Sequence, residues 1–175
     1  TADQAARSMA FGGGGIYHDF DDLEHSTLTL SPTIAASSTI NALVTAKPTI
    51  ATTKTANGAS IVAAARRQIG TPYVWAGGNY NGTTRCGIDS AGLAMYAVYQ
   101  GTNGRVRIAS IAEEQYTDPQ CRQVPFKQRL PGDLVLFKKG DHIEQSAILT
   151  GPTTIVHVSP KSSVVREKPI RNKIS

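Results

Sequence analysis

The sequence has little of most residue types that would mark its class. Its 175 residues hold two cysteines, one tryptophan, four phenylalanines and two methionines, and only 18% are charged. Two cysteines, Cys86 and Cys121, with no CxxC spacing, exclude a disulfide scaffold, a zinc cluster and a dithiol redox motif. A single bridge between them stays open and would suit an oxidising compartment. No apolar run approaches the roughly 18 residues of a membrane span, so no membrane span is expected. No heptad, collagen or solenoid period is present. Asp and His pairs at ligand spacing are missing from the C-terminal two thirds, so neither a metal nor another cofactor is expected. With 40% hydrophobic residues, the chain can bury the core of one domain and still carry an appended arm.

Charge is unevenly distributed. Residues 1–60 carry a net −2 and the remainder +7, which suits an anionic polymer. The basic residues are scattered, from Arg66-Arg67 through Arg105 and Arg107 to Lys138-Lys139 and the 166–173 tail. No aromatic stacking row interleaves with them, so nucleic acid is not expected as a partner. Asn81-Gly82-Thr83 is a glycosylation acceptor triplet, with Asn81 the candidate site and secretion the implied context.

Two regions differ in composition. Residues 1–59 read as an irregular arm. Its four glycines, Gly12–Gly15, lead into an acidic-aromatic patch at residues 16–22, and 13 of the 30 residues from Ser26 to Thr55 are Ser or Thr, as in a linker. From Ser60 the pattern is that of a domain, residues 60–175. Ser60 caps a helix with Ile61, Ala65 and Ile69 on one face, ended by Gly70. Thr71–Gly87 is a glycine- and asparagine-rich loop. Asp89 caps a second helix, Ser90–Gln100, and Ile108–Tyr116 suggests one short helix more. Beyond that the period is two. Asp133–Phe137, Ser146–Leu149, Thr154–Val158 and Ser163–Arg166 read as strands separated by Pro131-Gly132, Gly140-Asp141, Gly151-Pro152 and Ser159-Pro160. Helices followed by an antiparallel meander make an α+β domain.

The second helix is where chemistry is expected. A nucleophile in its first turn would gain from the positive end of the macrodipole, and a base would have to reach it from a neighbouring element. Three stretches resemble one family: Thr71-Pro72-Tyr73-Val74-Trp75-Ala76-Gly77-Gly78, Gly87-Ile88-Asp89-Ser90-Ala91-Gly92-Leu93, and Leu130-Pro131-Gly132-Asp133-Leu134-Val135. In order and spacing they are similar to the NlpC-type cell-wall peptidases, papain-like cysteine enzymes that cut the stem peptides of peptidoglycan. The likeness runs from about Ser60 to about Ile170. Gln120-Cys121 and Gly151–Thr154 are most similar to secreted fungal members.

The resemblance implies helices packed on an antiparallel sheet and a groove lined by Tyr73, Trp75 and Asp89, with Asp89 meeting the free amine of a stem peptide. It also implies a triad. The family's Asp-Cys-Ser-Gly reads Asp89-Ser90-Ala91-Gly92 here, placing Ser90 in the nucleophile position. The family's His-Val-Gly-Ile-Tyr-Leu-Gly aligns with Gln145–Gly151, placing Gln145 in the base position. The orienting residue, twelve positions on, is His157. A serine needs an adjacent base and glutamine accepts no proton near neutral pH, so the triad is expected to be silent.

The leading expectation is therefore a secreted pseudoenzyme that keeps a groove for cell-wall peptide. A weak hydrolase using Ser90 with His157 or His142 is one alternative. A protein-interaction module or secreted effector working through the arm is another. Plainer roles exist for each residue: Ser90 as a helix start, His157 as a core histidine, Tyr73 and Trp75 as core aromatics. A Cys→Ser exchange made to trap an enzyme would account for Ser90 but not for Gln145.

Overall fold

Alternation of polar and apolar residues decides the first strand. The computed structural model describes residues 24–31 and 50–170, and Thr27-Leu28-Thr29-Leu30 lies within β1 (Glu24–Leu30). Leu28 is fully buried in the main core. This strand falls inside the segment expected to be an irregular arm, so that expectation is corrected for these residues. β1 is also an interior strand. The single antiparallel sheet has the order β2-β1-β3-β4-β5-β6, with β2 (Cys121–Val124), β3 (Leu134–Lys139), β4 (His142–Leu149), β5 (Thr154–His157) and β6 (Arg166–Pro169). The glycine hinge, the acidic-aromatic patch with His18, and residues 171–175 of the basic tail lie outside the described residues.

Among the described residues three α-helices complete an α+β domain. α1 spans Ile50–Arg66, so it starts ten residues before the expected cap at Ser60. Its end is early too: the chain leaves the helix at Arg66, and Ile69, expected on the buried face, is 48% exposed. α2 (Ser90–Gly101) is buried almost all round, from Ala91 to Val98 and again at Gly101. That is the signature of a central helix. It crosses α1 at a point where a side chain on Gly101 would meet the Ile61 backbone at 2.5 Å. α3 (Ala112–Tyr116) is shorter than expected, because Val106 and Ile108 are buried in an extended stretch before it.

The last strand forms three residues later than its apolar pattern suggests. Ser163–Val165 is engaged by the loop after α1 instead. Tyr73 N–H donates to Ser163 C=O, Gly70 N–H to Val165 C=O, and Val165 N–H to Thr71 C=O. Sheet pairing with β5 therefore begins at Arg166, opposite His157. One surface cluster was also not visible in spacing. The Arg107 guanidinium lies 5.1 Å and 4.9 Å from the ring centres of Tyr80 and Tyr99.

Candidate functional site

The start of α2 is built from a tight loop. Asp89 is its N-cap, with extended backbone, and its carboxylate accepts the Gly92 N–H at 2.7 Å. The Asp89 N–H in turn donates to Gly77 C=O. Gly78 has φ +97°, and a side chain there would strike Ile88; a side chain on Gly92 would strike the Gly77 carbonyl. The two glycines let the 76–78 turn sit on the first turn of the helix. Ala76, Arg85 and Cys86 all take left-handed φ values, three of the five such non-glycine residues among those described. Arg85 holds the turn by donating to Trp75 C=O at 2.8 Å and Ala76 C=O at 3.0 Å. Strain of about 1–3 kcal/mol per such residue is typical of functional loops.

Burial pushes the Asp89 carboxyl up to about 6, against the backbone N–H groups of Gly92, Ala76 and Ala91 and the charge of Arg85, which favour the anion. The folded state therefore holds this proton more tightly than the unfolded chain does. Stability is greatest below the unfolded value near 3.8 and declines as pH rises through about 6. Asparagine caps as well as aspartate without the charge. Between pH 4 and pH 7 the native chain should lose on the order of 2 kcal/mol relative to Asp89→Asn, read by urea unfolding at each pH. Parallel curves for the two proteins would remove the assignment.

Of the residues expected to line a groove, Tyr73 is half-buried and packs against the main core. Trp75 is 57% exposed, so it is not a core aromatic. Its neighbour Ala76 contributes an N–H to the Asp89 carboxylate.

Ser90, the first residue of α2, is half-buried. Gln145 lies in β4 opposite Phe137, next to a register irregularity at Phe137/Lys138. His157 is fully buried at the end of β5. Among the described residues no hydrogen bond joins any two of these three side chains. A residue that sequence reading missed ties their elements together. Gln115 on α3 is completely buried. Its Nε2 donates to Ala91 C=O at 3.0 Å and Ala109 C=O at 2.8 Å, and its Oε1 accepts the Ser146 hydroxyl at 2.7 Å. Ala91 follows Ser90 and Ser146 follows Gln145, so one carboxamide fixes the helix start against the strand. Nothing in Ala-Glu-Glu-Gln-Tyr distinguishes this glutamine from a solvated one. The Gln145 Oε1 is buried with no hydrogen-bond partner. His142 does not join the group: its exposed ring lies at the far end of β4, 3.9 Å from Glu113.

The expected bridge is absent, for Cys86 and Cys121 are both free. Cys86 is exposed in the loop ahead of α2, whereas Cys121 opens β2 and packs against the core. Burial, then Asp118 and Asp133, push the Cys121 thiol up to about 12, leaving almost no thiolate near neutral pH. A thiol reagent should titrate one cysteine in the native protein and two in denaturant, without reductant. Zero in both would restore the bridge. Among the described residues no group of three or more His, Cys, Asp or Glu could hold a metal, and no helix is long and apolar enough to cross a membrane.

The model of the NlpC/P60 family matches residues 70–175. The chain belongs to the NlpC/P60 family. No curated protein matches it, but several solved NlpC/P60 domains do. RipD from Mycobacterium tuberculosis, described as a non-catalytic NlpC/p60 domain protein adapted to peptidoglycan binding, is 25% identical with a TM-score of 0.58, over 67% of this chain and 90% of that one. The NlpC/p60 domain of the peptidoglycan hydrolase SagA is 28% identical with a TM-score of 0.54, over 64% and 88%. The P60 domain of antigen MAP1204 from M. avium subspecies paratuberculosis shares the fold at 24% identity and a TM-score of 0.56, over 67% and 88%. Both hydrolytic and non-catalytic NlpC/P60 domains thus share this architecture.

Proposed function

We propose that this NlpC/P60 domain is a pseudoenzyme that binds peptidoglycan stem peptide in the groove beside α2 and does not cut it. The observation that carries the reading is the side chain at position 145. By the resemblance, residue 145 holds the position of the family's base, and the side chain there is a carboxamide with a buried, unpartnered oxygen, which cannot take a proton from Ser90. On this reading Asp89 supplies an anionic cradle and the exposed Trp75 an aromatic face. The free amine of a stem peptide fits the first and the peptide's apolar atoms the second. RipD, a non-catalytic NlpC/p60 protein adapted to peptidoglycan binding, supports this reading by showing that the fold serves such a purpose in another protein. An extracellular setting belongs to the same reading, since Asn81 and Thr83 of the glycosylation triplet are both exposed.

Trp75 is the only tryptophan, so its fluorescence reports occupancy directly. Defined muropeptides are titrated by that signal and the same mixtures are followed by mass spectrometry. Saturable binding without products is the expected result. Products that vanish in Ser90→Ala would replace this reading with a serine hydrolase, and absence of binding would remove it.

A further inference from the structure

The exposed Arg107 guanidinium is held in place without a described counter-ion, and from this we propose a second binding site, in which Arg107, Tyr99 and Arg105 take a phosphodiester polymer. It is independent of the peptide-binding reading above. Ser90 opens α2 and Tyr99 lies in its last turn, about 13 Å further along the axis. Arg107 belongs to the extended stretch between α2 and α3, where Val106 and Ile108 are buried and Arg105 and Arg107 are exposed. The stretch is pinned from two sides. Gln120 Nε2 donates to Arg107 C=O at 2.8 Å, and the Tyr80 hydroxyl donates to Ile108 C=O at 3.0 Å. Gln100 Nε2 donates to Tyr80 C=O at 2.9 Å and so ties that residue to α2. The guanidinium then stands over both tyrosine rings, which are 4.9 Å apart. No described carboxylate pairs with it. A cation fixed in advance loses little freedom on binding.

The donors decide the ligand. Arginine carries five N–H groups, and the one described hydrogen bond from this guanidinium runs from Nη2 to the Tyr99 hydroxyl at 3.3 Å. That hydroxyl, having accepted, still has its own proton to give. A phosphodiester brings four oxygens to these donors and a carboxylate two, and guanidinium suits the charged pair of either. Arg105 adds a second cation on the same side, about 7 Å along the extended chain. Its Nε donates to Thr102 C=O at 2.9 Å and its Nη2 to Asn57 Oδ1 at 3.2 Å, so it too is held. Two fixed cations in line suit a chain of repeating charges better than a single ion. Nucleic acid is the less suitable chain, because Arg107 already covers the ring faces on which a base would stack.

The test is calorimetry of the full chain with poly(glycerol phosphate), polyglutamate and oligothymidylate of matched charge. Poly(glycerol phosphate) should bind most tightly. Arg107→Gln should weaken it at least about tenfold, and Arg107→Lys should not restore the affinity. Tyr99→Phe, which keeps the ring and removes the proton, should weaken it about fivefold. Lys139→Gln makes the same change in net charge at the exposed end of β3 and should bind like the native chain. A merely structural Arg107 would lower the melting temperature of Arg107→Gln and leave its affinity unchanged. Equal losses in Arg107→Gln and Lys139→Gln would reduce the effect to net charge. Either result overturns the proposal, as does tighter binding of polyglutamate or oligothymidylate, or no binding of poly(glycerol phosphate).

Discussion

Replacing Ser90 by cysteine together with Gln145 by histidine is expected to turn a chain proposed to be inactive into one that cleaves muropeptides. The first residue of α2 is a favourable place for a thiolate, which the helix N-terminus stabilises. Position 145 is the second change because, by the resemblance, the family's base stands there, and Gln115 already ties α2 to β4 through Ala91 and Ser146. His157 is in place at the end of β5. Ser90→Cys alone should remain silent for want of a base. The double variant should exceed the native chain by at least about 10⁴-fold, given what removal of such groups does in hydrolases that use them as a unit. Mass spectrometry of a muropeptide digest reads all three proteins side by side. A native chain as fast as the double variant would mean that Ser90 is itself a working nucleophile. A double variant that binds but does not cut would mean that residues 90 and 145 are held apart.

Gln115→Leu is expected to be the most damaging single substitution away from the hydrophobic core. It strips the hydrogen bond from Ala109 C=O and from the Ser146 hydroxyl, and one of those at Ala91 C=O, around a fully buried side chain. Unsatisfied buried groups cost about 1–3 kcal/mol each, so a total on the order of 3–4 kcal/mol follows. The melting temperature should drop by about 10 °C or more. Ser146→Ala, which removes one hydroxyl and one bond, should cost only about 1 kcal/mol. Thermal and urea unfolding of both decide the matter, and a Gln115→Leu protein within 1 kcal/mol of the native one would show that the bridge contributes little.

Local signals carried much of the fold. Asp89 announced α2 because a capping carboxylate next to an apolar stripe has few other uses, and Pro131-Gly132 and Gly151-Pro152 punctuated the sheet. The failures share a cause, which is that distant partners overrode local composition. Thr27–Leu30 alternates for only four residues within a Ser/Thr-rich stretch, and its partners β2 and β3 lie about a hundred residues away. β2 is a four-residue Cys-Arg-Gln-Val segment that pairs only because β1 is there to receive it. The early start of α1 was hidden by Thr52, Thr53 and Thr55, poor helix formers; further along the helix, Gly58 sits against Pro131 and Gly132. In the candidate site, Asp89 and Ser90 were legible from the cap, and Gln145 and His157 from resemblance. Gln115 was not legible at all, since burial of a glutamine depends on what surrounds it in three dimensions.

The interior position of β1 bears on how this domain can be cut. A fragment beginning at Ser60 includes every residue matched by the family model, yet it lacks the strand that separates β2 from β3. Such a fragment would expose an unpaired edge on β3 and leave β2 with no neighbour, the condition that favours strand exchange and aggregation. A nick anywhere between residues 31 and 50 has a different outcome. It yields two pieces held together by the pairing of β1 with β2 and β3 and by the buried Leu28, and a synthetic peptide of residues 24–30 becomes a competitor for the same slot. The domain is in this sense a natural split protein, whose smaller half can be supplied in trans.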